Sequence, residues 1–159
     1  MPQRDPVEMQ TPSTPPTDPD SSVEEVGPGV TLQKILGGRA YLFILRSDSR
    51  ASMGAWIDAM KQIMATSPSE QPVFLLTDAS PVRAITMSPY VKSRIGELYS
   101  VDRPGMTYAA NILSKTFVVL LLEKYVQFLS RGKRIVTRFF GTRDDGLKWL
   151  QDMMKGAPK

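Results

Sequence analysis

Residues 73–76 read Val-Phe-Leu-Leu, an uninterrupted apolar run with the length of a β-strand. A strand of this kind has no polar side to turn towards water, and it is typical of a parallel sheet that is covered on both faces. Residues 78–81 (Asp-Ala-Ser-Pro) follow the run and favour a loop. We therefore expect a buried central strand that ends near Asp78.

Strand and helix patterns precede this run. Residues 30–36 and 40–45 have the composition of strands, and residues 37–39 (Gly-Gly-Arg) between them predict an antiparallel hairpin. An apolar stripe with helical spacing comes next, and either Ser49 or Ser52 is its expected N-cap. The stripe consists of Met53, Trp56, Ile57, Met60, Ile63 and Met64.

The alternation of strands and helices continues after the run. Ser88-Pro89 predicts a helix start, because serine is favoured at the N-cap and proline in the first turn. Residues 106–112 and 135–140 have strand patterns, residues 117–129 have helical spacing, and Thr142 begins a last helix. Single helices between strands imply right-handed crossovers. We predict one α/β domain, with a mainly parallel sheet, an N-terminal antiparallel hairpin and packed helices.

Residues 1–28 differ from the rest of the chain in composition and charge. They hold seven of the 13 prolines, and one base against six acids gives them a net charge of −5. So few apolar side chains cannot offset the entropy lost on ordering, so we expect a disordered tail. The tail is either a solvated arm or a mask over a basic face, since residues 29–159 carry +9. Residues 29–155 form the predicted domain and residues 156–159 a short C-terminal tail.

The chain of 159 residues contains neither histidine nor cysteine. This composition excludes thiol nucleophiles and thiolate metal ligands, and it removes the commonest general base. The nucleophile elbow and the P-loop motif are also absent. We therefore expect no enzyme, no cofactor and no metal. Without a signal-peptide core, and with a longest apolar run of six residues, the expected location is cytoplasmic.

Two parts of the pattern resemble a known family. Residues 138–142 (Arg-Phe-Phe-Gly-Thr) are followed by Trp149-Leu150, and residues 75–78 (Leu-Leu-Thr-Asp) by residues 85–89 (Ile-Thr-Met-Ser-Pro). Both parts resemble the SpoIIAA-like (STAS/SEC14) branch of the STAS domains. The resemblance covers about residues 29–155, and it implies an STAS-like fold with a non-catalytic regulatory or protein-interaction role.

Anti-sigma-factor antagonists with this fold carry a phosphorylatable serine, preceded by an aspartate, at a helix start. With Asp78 aligned to the aspartate that ends the family's strand, Thr86 falls at the second aspartate and Met87 at the phosphorylated serine. Methionine cannot accept phosphate, so the resemblance implies a switch only if Thr86 or Ser88 replaces it. The alternative is that Ser88 is simply an N-cap and Thr86 a loop hydroxyl.

The resemblance implies a protein partner that binds the loop and helix around residues 78–95. The candidate contact or switch residues are Asp78, Arg83, Thr86, Met87 and Ser88. The alternative function is a carrier or sensor of a lipid-like or anionic small molecule at an anionic membrane surface. Basic residues near the last strand and the central loop would attract phosphates if they were contiguous, but no nucleic-acid motif accompanies them, so nucleic acid is not an expected partner. These residues are Arg83, Lys92, Arg94, Arg131, Lys133, Arg134, Arg138 and Arg143.

Overall fold

The computed structural model describes residues 22–82, 85–114 and 117–156, and it is an α/β fold as the sequence predicts. Within these ranges a six-stranded sheet carries four helices. The strands are β1 (Glu24–Gly27), β2 (Val30–Ile35), β3 (Ala40–Leu45), β4 (Val73–Asp78), β5 (Thr107–Ile112) and β6 (Ile135–Phe140). The helices are α1 (Arg50–Thr66), α2 (Pro89–Tyr99), α3 (Phe117–Leu129) and α4 (Arg143–Gly156).

The strands lie across the sheet in the order in which they occur in the chain. β1, β2 and β3 pair antiparallel, whereas β3, β4, β5 and β6 pair parallel. The mainly parallel sheet and the hairpin before it are therefore confirmed. The hairpin between β2 and β3 turns through Leu36, Gly37 and Gly38, whose φ angles are 53°, 67° and 79°. Glycine adopts such positive values without steric cost, which explains the pair of glycines in this turn.

The first strand lies inside the segment that the sequence analysis assigned to the acidic tail. β1 pairs antiparallel with β2, so the ordered domain includes residues before 29. The strand passes so close to α1 that a Cβ atom added to Gly27 would lie 2.2 Å from the Cβ atom of Ala55. Glycine at this position therefore permits the contact between strand and helix. The other part of the predicted tail, residues 1–21, lies outside the described residues.

Two helices begin at the serines that the sequence indicates. The Ser49 hydroxyl accepts a hydrogen bond from the backbone nitrogen of Ser52 at 3.1 Å, so Ser49 is the N-cap of α1. The Ser88 hydroxyl accepts a hydrogen bond from the backbone nitrogen of Val91 at 3.2 Å and caps α2 in the same way. Both bonds satisfy backbone donors that the first helical turn leaves without a partner.

The other two helices also follow the predicted pattern. Thr142 accepts a hydrogen bond from the backbone nitrogen of Asp145 at 3.2 Å, which is the capping interaction expected at the start of α4. α3 begins at Phe117. Residues 115 and 116, which directly precede it, lie outside the described residues.

Helices cover both faces of the sheet. α1, α2 and α3 pack on one face over the larger cluster of buried apolar residues, and α4 packs on the other face. Side chains alternate along β4, so Leu75 and Thr77 lie on the face with three helices, whereas Leu76 and Asp78 lie on the face with α4. Every residue of β4 is buried. This confirms the doubly covered strand that the apolar run predicts.

Candidate functional site

A cavity of about 50 Å³ lies between the sheet and the three helices that cover one of its faces. All three helices contribute apolar wall residues, among them Met60 and Met64 of α1, Ile95 and Leu98 of α2, and Leu122 and Val126 of α3. The floor includes Ala109 and Asn111 of β5. The short side chains of Ala109 and Asn111 leave space between β5 and the helices.

Polar groups are spaced along the lining of the cavity. Trp56 donates a hydrogen bond from Nε1 to the hydroxyl of Thr77 at 3.0 Å. The hydroxyls of Tyr99 and Thr137 hydrogen-bond to each other. Asn111 lies beside Thr77 in the sheet register, and among the described residues its side-chain amide has no hydrogen-bond partner. The Asn111 amide therefore has both donor and acceptor capacity for a bound molecule.

The lining of the cavity carries no charge among the described residues. Burial raises the pKa of the Tyr99 hydroxyl to about 12, against the smaller lowering effect of its hydrogen bond to Thr137. Tyr99 is therefore neutral at physiological pH. A buried ion without a partner is strongly disfavoured, so the cavity suits a neutral molecule.

Asp78 lies at the carboxyl end of β4, on the face of the sheet that is opposite the cavity. Its side chain is 7% exposed and accepts hydrogen bonds from the backbone nitrogen (3.0 Å) and the hydroxyl (2.6 Å) of Ser80. Arg143 donates two more, from Nε at 3.0 Å and from Nη2 at 2.7 Å, both to Oδ2. Burial raises the pKa of Asp78, but the bonds from Ser80 and Arg143 outweigh burial and hold this pKa below its ordinary value. The carboxylate ties the start of α4 to the end of β4.

The remaining predicted site residues lie near the start of α2. Thr86 is exposed, whereas Met87 is half-buried and packs against the core on the side of the three helices. The Ser88 hydroxyl is engaged as the N-cap of α2. Arg83 lies outside the described residues. The Thr86 hydroxyl is thus at the surface, and a role of these residues in partner binding or phosphorylation stays a prediction.

The basic residues around the last strand are dispersed over the described part of the domain. Arg134 precedes β6 and Arg143 follows it, so the length of a strand, roughly 20 Å, separates them. The guanidinium of Arg138 lies 5.7 Å from the ring centre of Trp149. Arg94 of α2 is paired with two acidic side chains. These side chains do not form a single phosphate-binding patch.

Several residues at these sites were not identified from the sequence. Trp56 was counted only as a member of an apolar stripe, and Arg143 only as a basic residue near the last strand. Asn111 offered a usable signal, because it is a polar residue in a strand that helices cover on both faces, where it is half-buried. Tyr99 carried no comparable signal, since its hydroxyl meets Thr137 only through the tertiary fold.

Comparison of this chain with protein-family models, with curated proteins and with solved structures finds no match. The resemblance to the STAS domains therefore stays an interpretation of the residue pattern. In the described ranges, no three histidine, cysteine, aspartate or glutamate side chains are grouped in a way that could hold a metal ion. None of the described helices combines the length and the apolar character that crossing a bilayer requires.

Proposed function

We propose that this chain is a non-catalytic regulatory module that senses a small neutral molecule in the cavity and presents residues 78–95 to a protein partner. The observation that carries the proposal is the cavity itself, which combines a largely apolar lining with the unpartnered amide of Asn111. An apolar pocket with a few placed polar groups is the usual form of a small-molecule site. Asn111 and Thr77 are also the penultimate residues of the parallel strands β5 and β4, so both lie near the carboxyl ends of their strands.

The size and chemistry of the cavity define the class of ligand. A volume of about 50 Å³ exceeds the ~10–15 Å³ that one water needs, and it is smaller than the ~150 Å³ of an apolar cavity that takes benzene. Methionine side chains such as Met60 and Met64 adapt their shape to a ligand. The cavity therefore favours a compact, mainly apolar molecule with one hydrogen-bonding group over a long acyl chain or an anion.

α2 connects the cavity to the predicted partner surface. Ile95, Leu98 and Tyr99 line the cavity from α2, and Ile85 lines it from the segment before the helix. Occupancy of the cavity would therefore bear on the same segment that carries Thr86. A ligand shifts a conformational equilibrium only through contacts that differ between the states, and these four side chains are where we propose that the contacts differ. The STAS-like pattern of residues 75–89 supports the same assignment of the partner surface.

A series of short 2-alkanones, starting from acetone, tests the ligand class. Each molecule has one carbonyl for the Asn111 amide and an apolar body for the cavity. We expect saturable shifts of the Met60 and Met64 methyl signals in NMR spectra, with affinity rising about fourfold for each added methylene until the cavity is full. An Asn111→Leu variant is expected to bind the same ketones about fivefold more weakly, because the carbonyl loses its donor.

A pair of alanine variants controls for effects outside the cavity. Ala109→Leu fills the floor of the cavity and is expected to abolish ketone binding. Ala51→Leu makes the same change at an exposed position of α1 and is expected to leave ketone binding intact. Equal binding by the two variants, or no saturable binding of any ketone, would contradict the proposed ligand site.

Hydrogen exchange tests the connection between the cavity and the partner surface separately. With the best ketone bound, we expect slower exchange of the backbone amides of residues 85–99 and unchanged exchange in α4. Ligand binding without any change in residues 85–99 would leave the ligand site in place and refute its link to the partner surface.

A further inference from the structure

The outer side of α3 exposes large apolar side chains to solvent. Leu120, Leu121 and Phe128 are 56%, 51% and 65% exposed. Among the residues that the structure describes, one other large apolar side chain is comparably exposed. It belongs to Val23, which directly precedes the edge strand β1. A single exposed leucine needs no explanation, but a contiguous exposed apolar group marks an interaction surface.

The helical spacing places these side chains in one stripe. At about 100° per residue, Leu120, Leu121 and Phe128 fall on the side of α3 opposite Val119 and Val126, which are buried against the domain. α3 is thus apolar on both sides, although the domain covers only one of them. Packing against the domain explains why the inner side is apolar. Nothing in the described structure covers the outer stripe.

Cations accompany the stripe. Lys124 is exposed and falls on the same side of the helix as Phe128, and Arg131 is exposed in the turn directly after α3. The guanidinium of Arg131 lies 5.8 Å from the ring centre of Phe128. Lys133 and Arg134 are exposed in the turn after α3, and Glu123 is the single acidic residue within the helix.

We propose that the outer face of α3 docks on an anionic phospholipid surface. Leucine and phenylalanine side chains enter the acyl boundary of a bilayer, while lysine and arginine extend their charged ends to the phosphates. Both requirements are met by the exposed Leu120, Leu121, Phe128 and Lys124 on the outer side of α3, together with Arg131 in the turn after it. Docking of this kind lays the helix on the surface and needs no membrane-spanning length.

Two other occupants fit the face less well. A second copy paired through an antiparallel α3 would bring Lys124, which lies near the middle of the stripe, against the same lysine of its partner, and like charges in contact are unfavourable. The acidic residues 1–21 would match the cations, but they contain no leucine, isoleucine or aromatic residue to cover Leu121 and Phe128. A phospholipid surface supplies both the apolar phase and the negative charge.

Vesicle co-sedimentation with the full chain tests the proposal. The probes are vesicles of phosphatidylcholine alone and vesicles in which about one third of the lipid is phosphatidylserine, which gives the surface its negative potential. We expect binding to the anionic vesicles only, weakened by added salt because part of the attraction is electrostatic. Absence of binding to anionic vesicles at low salt would overturn the proposal.

Matched variants separate the apolar and the electrostatic contributions. Replacing Leu120, Leu121 and Phe128 together by serine is expected to weaken vesicle binding at least about a hundredfold, whereas Val23→Ser is the apolar control and is expected to leave it unchanged. Lys124→Gln with Arg131→Gln is expected to weaken binding about twenty-five-fold, at roughly fivefold for each cation. Lys148→Gln with Lys155→Gln changes the net charge equally on α4 and is expected to weaken binding less than about twofold.

The remaining outcomes overturn the proposal. Equal losses in the α3 variants and their controls would show that net charge alone drives the binding. A dimer in light scattering that the triple serine variant converts to a monomer would make a second copy the occupant. Vesicle binding that appears only after removal of residues 1–21 would make the tail the occupant in the full chain. Circular dichroism establishes that each variant is folded before its binding is compared.

Discussion

The two faces of the sheet are built from the same strands but are packed differently. Beneath α4, the rings of Phe74 and Tyr108 stack with their centroids 5.3 Å apart, and Trp149 meets Tyr108 edge-on at 6.3 Å. α4 approaches closely because residue 146 is a glycine, at which an added Cβ would lie 2.7 Å from the Cδ1 atom of Ile112. α4 therefore packs closely against the sheet at this point.

The opposite face keeps a cavity although three helices cover it. There, β5 presents Ala109 and Asn111, and the helices above them meet at a seam that includes a hydrogen bond from the Tyr125 hydroxyl to the carbonyl of Lys92 at 3.3 Å. The domain therefore has one face that packs closely beneath α4 and another that keeps a cavity with polar groups in its lining. The same substitution should therefore change the free energy of unfolding by different amounts on the two faces.

The largest expected effect is the loss of a leucine from the packed face. Leu150 is fully buried beneath α4, whereas Leu98 borders the cavity and already lacks neighbours on one side. We expect Leu150→Ala to lower the free energy of unfolding by about 4 kcal/mol and Leu98→Ala by about 2 kcal/mol. Urea denaturation of both variants measures the difference. Equal losses would remove the distinction between the two faces.

Enlarging adjacent alanines of β5 is expected to lower the free energy of unfolding by very different amounts. Ala110 is 1% exposed on the face with α4, while Ala109 borders the cavity. We expect Ala110→Leu to cost about 3 kcal/mol through overpacking, and Ala109→Leu to leave the free energy of unfolding within about 1 kcal/mol of the parent. Thermal unfolding with circular dichroism measures both. A larger loss for Ala109→Leu would show that the cavity cannot accept additional atoms.

The buried hydroxyl of Tyr99 predicts a loss of stability at alkaline pH. Its pKa is about 12 in the folded chain, against 10.0 as its ordinary value. The unfolded chain ionises first, so the stabilisation is complete below pH 10 and is lost as the pH rises towards 12. The difference between these two pKa values corresponds to roughly 3 kcal/mol.

Two variants isolate this effect. Tyr99→Phe removes the titrating hydroxyl, so we expect it to be less stable than the parent by about 1 kcal/mol at pH 8 and to lose that disadvantage above pH 11. Thr137→Val breaks the same hydrogen bond but keeps the phenol, so it should retain the alkaline loss. The measurement is urea denaturation across this pH range. Parallel curves for Tyr99→Phe and the parent would show that Tyr99 ionises equally in both states.

The smallest expected effect concerns the ion pair beneath α4. The pKa of Asp78 is lowered in the folded chain, so its stabilisation is present above about pH 4 and is lost as the pH falls below that value. We expect Asp78→Asn to cost about 1 kcal/mol at pH 7, a modest value because Arg143 is 42% exposed. Asp144→Asn is the control at an exposed neighbouring position. Acid denaturation curves that do not differ between Asp78→Asn and the parent would contradict the role of the pair.

Most of the elements could be predicted from local pattern. β3 and β6 have the bounds that their composition indicates, and the caps Ser49 and Ser88 are where the serines stand in the sequence. β1 was missed because four residues with two exposed glutamates have no amphipathic period, and the strand forms by pairing with β2. β1 exists because it pairs with β2. The local sequence of residues 24–27 does not indicate that pairing.

The candidate site was less predictable than the fold. Asp78 was identified from its position after a buried strand, yet its partner Arg143 is 65 residues away. The cavity lies where the short side chains of Ala109 and Asn111 face a gap between the helices. Because its walls come from separate segments of the chain, no single segment of sequence predicts it. Thr86 and Met87 stay predictions, because their proposed roles involve molecules outside the chain.

Apolar periodicity is a property of neighbouring residues, so the order of residues was enough to establish an α/β domain with a mainly parallel sheet and an acidic segment before it. Strand register and helix placement are collective, since each depends on how every buried side chain packs against the others. Only that packing brought Trp56 to Thr77, left the Asn111 amide facing an empty space, and turned Leu120, Leu121 and Phe128 outwards.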